Sequence, residues 1–194
     1  MKRIVHLVRH GTHAEVGRVL SGRSEIALDP RGRAEAEALA GRVAPLAIAS
    51  LHSSPRRRAR ETAAPIAGHK GLDIRIADAL DEVDFGSFAG SAFADLAANA
   101  DWQNWNARRS TARCPGGETM AEAVERAWAY IGSLPDGQLP ALCVSHCDII
   151  RGLVAQTLGL DLDRIFALEC DPASLTTLAF EGSDARLVSL NVQG

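Results

Sequence analysis

An α/β fold of three layers, with a mostly parallel central sheet covered by helices on both faces, follows from three observations. Short apolar or β-branched segments alternate with helix-type segments along the chain. The apolar run ALCVS is continuous rather than alternating, which is the pattern of a strand buried on both faces. Between these runs stand helix-start signals of three kinds: Asp-Pro, Ser-Pro and a capping box. A length of 194 residues fits one domain spanning 1–194.

Taken in order, Arg3 to Val8 is a β-branched strand that ends at Arg9-His10-Gly11. Asp29-Pro30 supplies an N-cap and a first-turn proline for the helix RGRAEAEALAGRVA. Ile48 to His52 is a second strand, and Ser54-Pro55 is expected to open the helix RRRARETAAPIA in the same way. Asp73 to Leu80 alternates like an exposed or edge strand and leads into LDEVDFG. Residues 91–113, with Trp102 and Trp105, are the least regular stretch, partly helical, and are expected to cover the active site. Thr119-Met120-Ala121-Glu122 matches a capping box for a helix running to about Leu134. Ala141 to Ser145 is a strand, His146 stands at its end, and DIIRGLVAQTLG is the helix after it. SLTTLAF and ARLVSL add two β-rich segments.

Composition narrows the class. With 21 basic and 24 acidic residues the net charge is −3, which argues against a nucleic-acid or anionic-membrane binder. No apolar run approaches the ~18 residues that span a bilayer. The N-terminus MKRIVHLVRHG is too short in its apolar part for an export signal, so a cytoplasmic protein is expected. In that compartment Cys114, Cys143, Cys147 and Cys170 read as reduced thiols. All cationic residues but Lys2 and Lys70 are arginines, so a single arginine means little unless a second residue fixes its context. No apolar stripe stands out that would set an oligomeric state.

His10 and His146 each follow an apolar strand, and ligands of open α/β sheets bind beyond the carboxyl ends of the strands. Both rings should face one crevice if those strands are neighbours. Arg9 can fork onto an oxyanion, and Gly11 lets the backbone turn sharply beside it. His6, His52 and His69 lack such neighbours and read as satisfied rings. The Ser53-Ser54-Pro55 helix start offers free N–H groups to an anion, and Arg56, Arg57, Arg58 and Arg60 crowd its first turns without spacing choosing among them. Together these residues describe a phosphate pocket. No carboxylate cluster accompanies them, so neither a metal nor a cofactor is expected, and the absence of GxxxxGK[ST] and GxGxxG disfavours ATP and dinucleotides.

The runs LVRHG, SSPRRRARETA, LDEVDFG, PGGET and VSHCDIIRGL, in that order, resemble the histidine phosphatase superfamily, the phosphoglycerate mutase-like group, to about residue 180. The resemblance implies that His10 is the nucleophile that becomes phosphorylated, with Arg9 beside it. It places the pocket's second arginine on Arg58, its acidic residue on Glu82 and its second histidine on His146. On residues alone, Glu82 would read as a surface carboxylate between Asp81 and Asp84. The family's phosphate-touching Asn and its Gln-Gly pair are absent here, since Thr12-His13 and Ser21-Gly22 occupy those places. Thr12, His13 or Ser21 could supply the substitute hydrogen bond, and Arg18 or Arg23 could reach the substrate. Cys147 stands where glycine commonly follows the second histidine.

The expected activity is metal-independent hydrolysis of a small phosphorylated metabolite through a phosphohistidine on His10, with Glu82 as general acid and base. Inorganic phosphate would be the second product. The alternatives are a 2,3-bisphosphoglycerate-dependent phosphoglycerate mutase, and a non-catalytic phosphate-binding module. Trp102 and Trp105 read as core before ligand platform, and Arg108, Arg109 and Arg113 as either a second acidic-group site or a solvated lid.

Overall fold

The computed structural model describes residues 3–181 and 184–193. Six strands form one sheet: β1 (Arg3–Arg9), β2 (Ser50–Ser53), β3 (Ile74–Ile76), β4 (Ala141–Ser145), β5 (Leu175–Glu181) and β6 (Asp184–Val192). Their spatial order is β3-β2-β4-β1-β5-β6. The first four are mutually parallel, whereas β5 runs antiparallel to both β1 and β6. The sheet is therefore mixed, with a parallel half that carries the helical crossovers.

Side-chain alternation along the strands divides the core into two layers. Val8, Leu51, Leu142 and Val144 face α1 (Pro30–Val43) and α2 (Arg57–Lys70), where Leu39, Val43, Ala63 and Ile66 meet them. Val5, Leu7 and Cys143 face α5 (Met120–Ser133) and α6 (Cys147–Leu158), through Val124, Ile131, Ile150 and Leu153. Each fully buried Leu or Ile contributes roughly 1.5–3 kcal/mol. No helix among the described residues is long and apolar enough to cross a membrane.

The caps at Asp29 and Thr119 form as the sequence predicts. Asp29 accepts from the Gly32 N–H at 2.8 Å, and Thr119 and Glu122 complete both halves of a capping box. Three boundaries differ. β2 is shifted to Ser50–Ser53. β3 is only three residues long, because the chain tightens into a 3-10 turn at Asp78–Leu80. Helix α2 begins at Arg57, later than expected, with Arg56 at its cap position; Ser54 Oγ accepts from the Arg56 N–H at 3.3 Å in the turn before it. The stretch 91–113 holds two short helices, α3 (Phe93–Leu96) and α4 (Ala100–Ala107), the latter capped by Asn99. Trp105 is buried there, edge-on to Phe85 and stacked on Trp102.

Candidate active site

Register brings the two histidines together. Arg9 of β1 pairs with Ser145 of β4, so His10 and His146 leave adjacent parallel strands at the same level. The His10 N–H donates to the Ser145 carbonyl at 3.0 Å, and the ring centroids lie 5.2 Å apart. On the other side of β4, Ser53 pairs with Val144, and the Ser54 N–H donates to the Val144 carbonyl at 2.9 Å. Three neighbouring strand ends thus deliver His10, His146 and Ser54 to one crevice.

The turn after β1 is held tightly. Gly11 N–H donates to the Thr62 hydroxyl at 2.9 Å, and a Cβ on Gly11 would lie 2.7 Å from the Gly32 carbonyl, so the turn can press against α1 only as glycine. His10 Nδ1 lies 2.9 Å from the Gly11 carbonyl. A carbonyl only accepts, so Nδ1 carries the proton and Nε2 keeps its lone pair. Burial lowers the His10 pKa well below the ordinary value, and Arg58 and Arg9 lower it further, so the ring is neutral near pH 7.

The same reasoning fixes His146. Arg58 Nη2 is a donor only and meets Nδ1 at 3.1 Å, so Nε2 carries the proton and donates to Ser54 Oγ at 2.7 Å. Ser54 in turn donates to Asp81 Oδ1 at 3.3 Å. Arg58 itself is 1% exposed and donates to the Gly22 and Ser24 carbonyls. Its neighbours turn away: Arg57 pairs with Glu61, Arg60 with Glu25, and Arg56 with Glu25 and Asp81. Arg9 reaches the same cavity and donates to the Cys170 carbonyl at 2.6 Å.

Glu82 is buried, not a surface carboxylate. Its loop is clamped from two sides, with Arg23 Nε and Arg126 Nη2 donating to the Glu82 carbonyl at 3.0 and 2.9 Å. Arg126 also donates to Ala79 O and pairs with Glu118 of the PGGET run. Burial, then the nearby Asp148 carboxylate, push the Glu82 pKa up to about 8, so the carboxyl keeps its proton at pH 7.

These groups open onto a cavity of about 380 Å³. Arg9, His10, Arg58, Glu82 and Ser21 line it, as does His13, whose ring centroid is 5.2 Å from that of His10. Thr12, Arg23 and His146 are not among its lining residues, and His146 lies fully buried beside Arg58. Thr12 gives both its N–H and its hydroxyl to the Glu35 carboxylate, and Arg23 is committed to the Glu82 carbonyl, Asp81, Asp84 and Glu118. The other end of the cavity holds Arg109, one of the three arginines read as a second acidic-group site or a solvated lid. Arg109 is 3% exposed, sandwiched between the Trp105 and Phe166 rings, and bonded to Asp148 at 2.7 Å. Its partner lies 39 positions along the chain, and no local pattern announces such a pair.

The sequence matches the family model of the histidine phosphatase superfamily, branch 1, over residues 5–193. The chain belongs to that superfamily. Among its relatives is putative phosphoserine phosphatase 2 of Hydrogenobacter thermophilus, 30% identical over 98% of this chain and 96% of the relative. Probable phosphoglycerate mutase GpmB of Salmonella choleraesuis is 34% identical over 80% of this chain and 75% of its own. The solved structure of a mycobacterial glucosyl-3-phosphoglycerate phosphatase superposes with a TM-score of 0.85 at 26% identity, covering 100% of both chains. The histidine phosphatase membership makes this an enzyme of the phosphatase and phosphoryl-transfer kind.

Proposed function

We propose that the protein is a metal-independent phosphomonoesterase that acts through a phosphohistidine on His10. One observation carries the reading. A neutral imidazole, its Nε2 lone pair bare, lines a cavity with two arginines and a carboxyl that retains its proton at neutral pH.

In the first step His10 Nε2 forms a bond to phosphorus and the ester P–O bond breaks. The leaving oxygen takes the proton of Glu82. In the second step a water attacks the phosphohistidine, gives its proton to the Glu82 carboxylate, and releases inorganic phosphate. Arg9 and Arg58 neutralise the equatorial oxygens of the transferring group throughout. His146 aims Arg58 through Nδ1. Ser54 and Asp81 behind Nε2 hold the ring in that orientation. His13 takes the place of the missing Asn. Its Nδ1 accepts from the Glu15 N–H at 3.4 Å, so Nε2 of the neutral ring carries a proton for the phosphate. Ser21 adds a second hydroxyl at the cavity wall.

Substrates of this class are small phosphorylated acids, and phosphoserine and glucosyl-3-phosphoglycerate, after which relatives are named, are the first to assay. Rapid quenching with a ³²P-labelled monoester should give an acid-labile label on His10, with turnover unchanged by EDTA. His10→Ala should carry no label and lose at least ~10³-fold in phosphate release from p-nitrophenyl phosphate. Equal release by the two proteins would overturn the assignment. The likeness to a probable phosphoglycerate mutase favours a second reading, in which 2,3-bisphosphoglycerate stimulates isomerisation of 3-phosphoglycerate over its hydrolysis.

A further inference from the structure

Two thiols meet beside the phosphate end of the cavity, and the phosphoryl chemistry uses neither. Cys147 is the first residue of α6, directly after His146, and its side chain lines the cavity. Its Sγ–H donates to the Cys170 carbonyl at 3.6 Å, so the two residues are in direct contact. The other two cysteines are of a different kind. Cys114 and Cys143 are buried, and desolvation pushes each thiol up to about 12.

We propose that Cys147 and Cys170 form a peroxide-oxidisable pair, with Cys147 as the attacking sulfur and Cys170 as the resolving one, and that their disulfide disables the phosphate site. Four features of the position support the assignment of roles. Cys147 sits at the N-terminus of a twelve-residue helix, where the free N–H groups and the dipole stabilise a thiolate. Arg9 and Arg151 lie on the same cavity wall. The Cys147 thiol is lowered, its neighbour Cys170 first among the causes, with Arg9 and Arg151 adding to it against burial. Proximity to Cys147, together with burial, raises Cys170, so it waits as a thiol.

The chemistry balances in two steps. The Cys147 thiolate attacks one oxygen of hydrogen peroxide, breaking O–O and leaving Cys147 as a sulfenic acid with hydroxide released. The Cys170 sulfur then attacks the sulfenic sulfur, S–S forms, the S–O bond breaks, and the hydroxyl leaves as water with the Cys170 proton. Two thiols are oxidised and one peroxide is reduced to two waters. The link to the site is direct, because the Cys170 carbonyl is the acceptor that holds Arg9 at 2.6 Å. Drawing the Cys170 backbone toward α6 moves that acceptor, and Arg9 moves with it.

Treatment of the purified full-length protein with hydrogen peroxide tests this. The expected result is a loss of 2 Da in the intact mass, a Cys147–Cys170 cross-linked peptide in a non-reducing digest, and a fall of at least ~10-fold in inorganic-phosphate binding, all reversed by dithiothreitol. In Cys170→Ser, which keeps the carbonyl, Cys147 should instead run on to sulfinic acid, a gain of 32 Da that dithiothreitol does not reverse. A different cysteine pair in the cross-link, a Cys147 that stays alkylatable after peroxide, or a Cys147–Cys170 cross-link with unchanged phosphate binding would overturn the proposal. Mass, peptide map and phosphate binding are read without turnover, so the outcome stands apart from that of the phosphatase assay.

Discussion

Each imidazole at the reacting centre has its tautomer set by a neighbour that can play only one part. The Gly11 carbonyl cannot donate, so His10 must offer Nε2; the Arg58 guanidinium cannot accept, so His146 must offer Nδ1. Glu82 has the opposite problem, a proton that must stay on. Its neighbours are Asp148 and Cys147 on α6, which raise its proton affinity, and Arg58 and the Val83 N–H, which lower it. Because the acid form of Glu82 begins the proposed reaction, kcat/KM should fall as pH rises through about 8, and stay level down to the ordinary histidine range, His10 titrating well below it. Glu82→Gln should remove that alkaline limb and cost ~10²–10⁴-fold with an alkyl phosphate. With p-nitrophenyl phosphate, whose leaving group needs no proton, the loss should be at least ~10-fold smaller. A parallel loss with both substrates would show that Glu82 acts only on folding or binding. Residue types and motif order made Arg9, His10, Arg58, Glu82 and His146 legible in the sequence. Burial of Arg58 and outward pairing of Arg57 and Arg60 are what separate them, and neither is visible in a run of three arginines.

At the scale of elements, caps and strand ends were legible because they are local. Asp29 and Thr119 act on N–H groups three residues away, so their motifs suffice. Ser54 keeps a local bond, accepting from the Arg56 N–H at 3.3 Å, but its hydroxyl also joins His146 to Asp81, 92 and 27 positions away, which no local motif announces. The shortened β3 and the clamped loop after it likewise depend on Arg23 and Arg126, which come from opposite sides of it in the chain. Helix α1 carries a matched pair that tests this local against tertiary distinction. A Cβ on Gly32 would fall 1.9 Å from the Thr12 carbonyl, against the turn that bears His10, whereas one on Gly41 meets nothing within 4 Å. Gly41→Ala should therefore stabilise by about 0.5–1 kcal/mol through helix propensity, with activity unchanged. Gly32→Ala gains the same propensity and loses it to the clash, so the melting temperature should drop by several degrees and kcat/KM by at least ~10-fold. Equal effects of the two substitutions would mean that the α1 contact does not set the His10 turn.

For the molecule as a whole, a net charge of −3 coexists with a cavity that gathers Arg9, Arg58, Arg109 and Arg151. Asp148 neutralises much of the far end, bonded to Arg109 at 2.7 Å and 3.7 Å from Arg151, which leaves the positive charge of Arg9 and Arg58 at the His10 end, where the phosphate is proposed to bind. Burying this machinery ties stability to pH in two opposite directions. His6, His10, His13, His52 and His146 all have lowered pKa values, burial being the first cause in each, and His13 and His52 fall to about 4. The unfolded chain takes those protons near 6.5 and the folded one does not, so this stability is complete above 6.5 and is lost as pH falls toward 4. Glu82 runs the other way: its raised pKa stabilises the fold below 4.5, and that contribution is lost as pH rises to about 8. Melting followed by circular dichroism in phosphate-free buffer should therefore show a fall of several degrees per pH unit from 6.5 to 5, softened by Glu82. In Glu82→Gln the softening is gone, so its melting temperature should exceed that of the wild type at pH 8, and the difference should shrink or reverse by pH 5. Parallel curves for the two proteins would mean that the Glu82 carboxyl is not held protonated in the fold, and the general-acid assignment would fall with it.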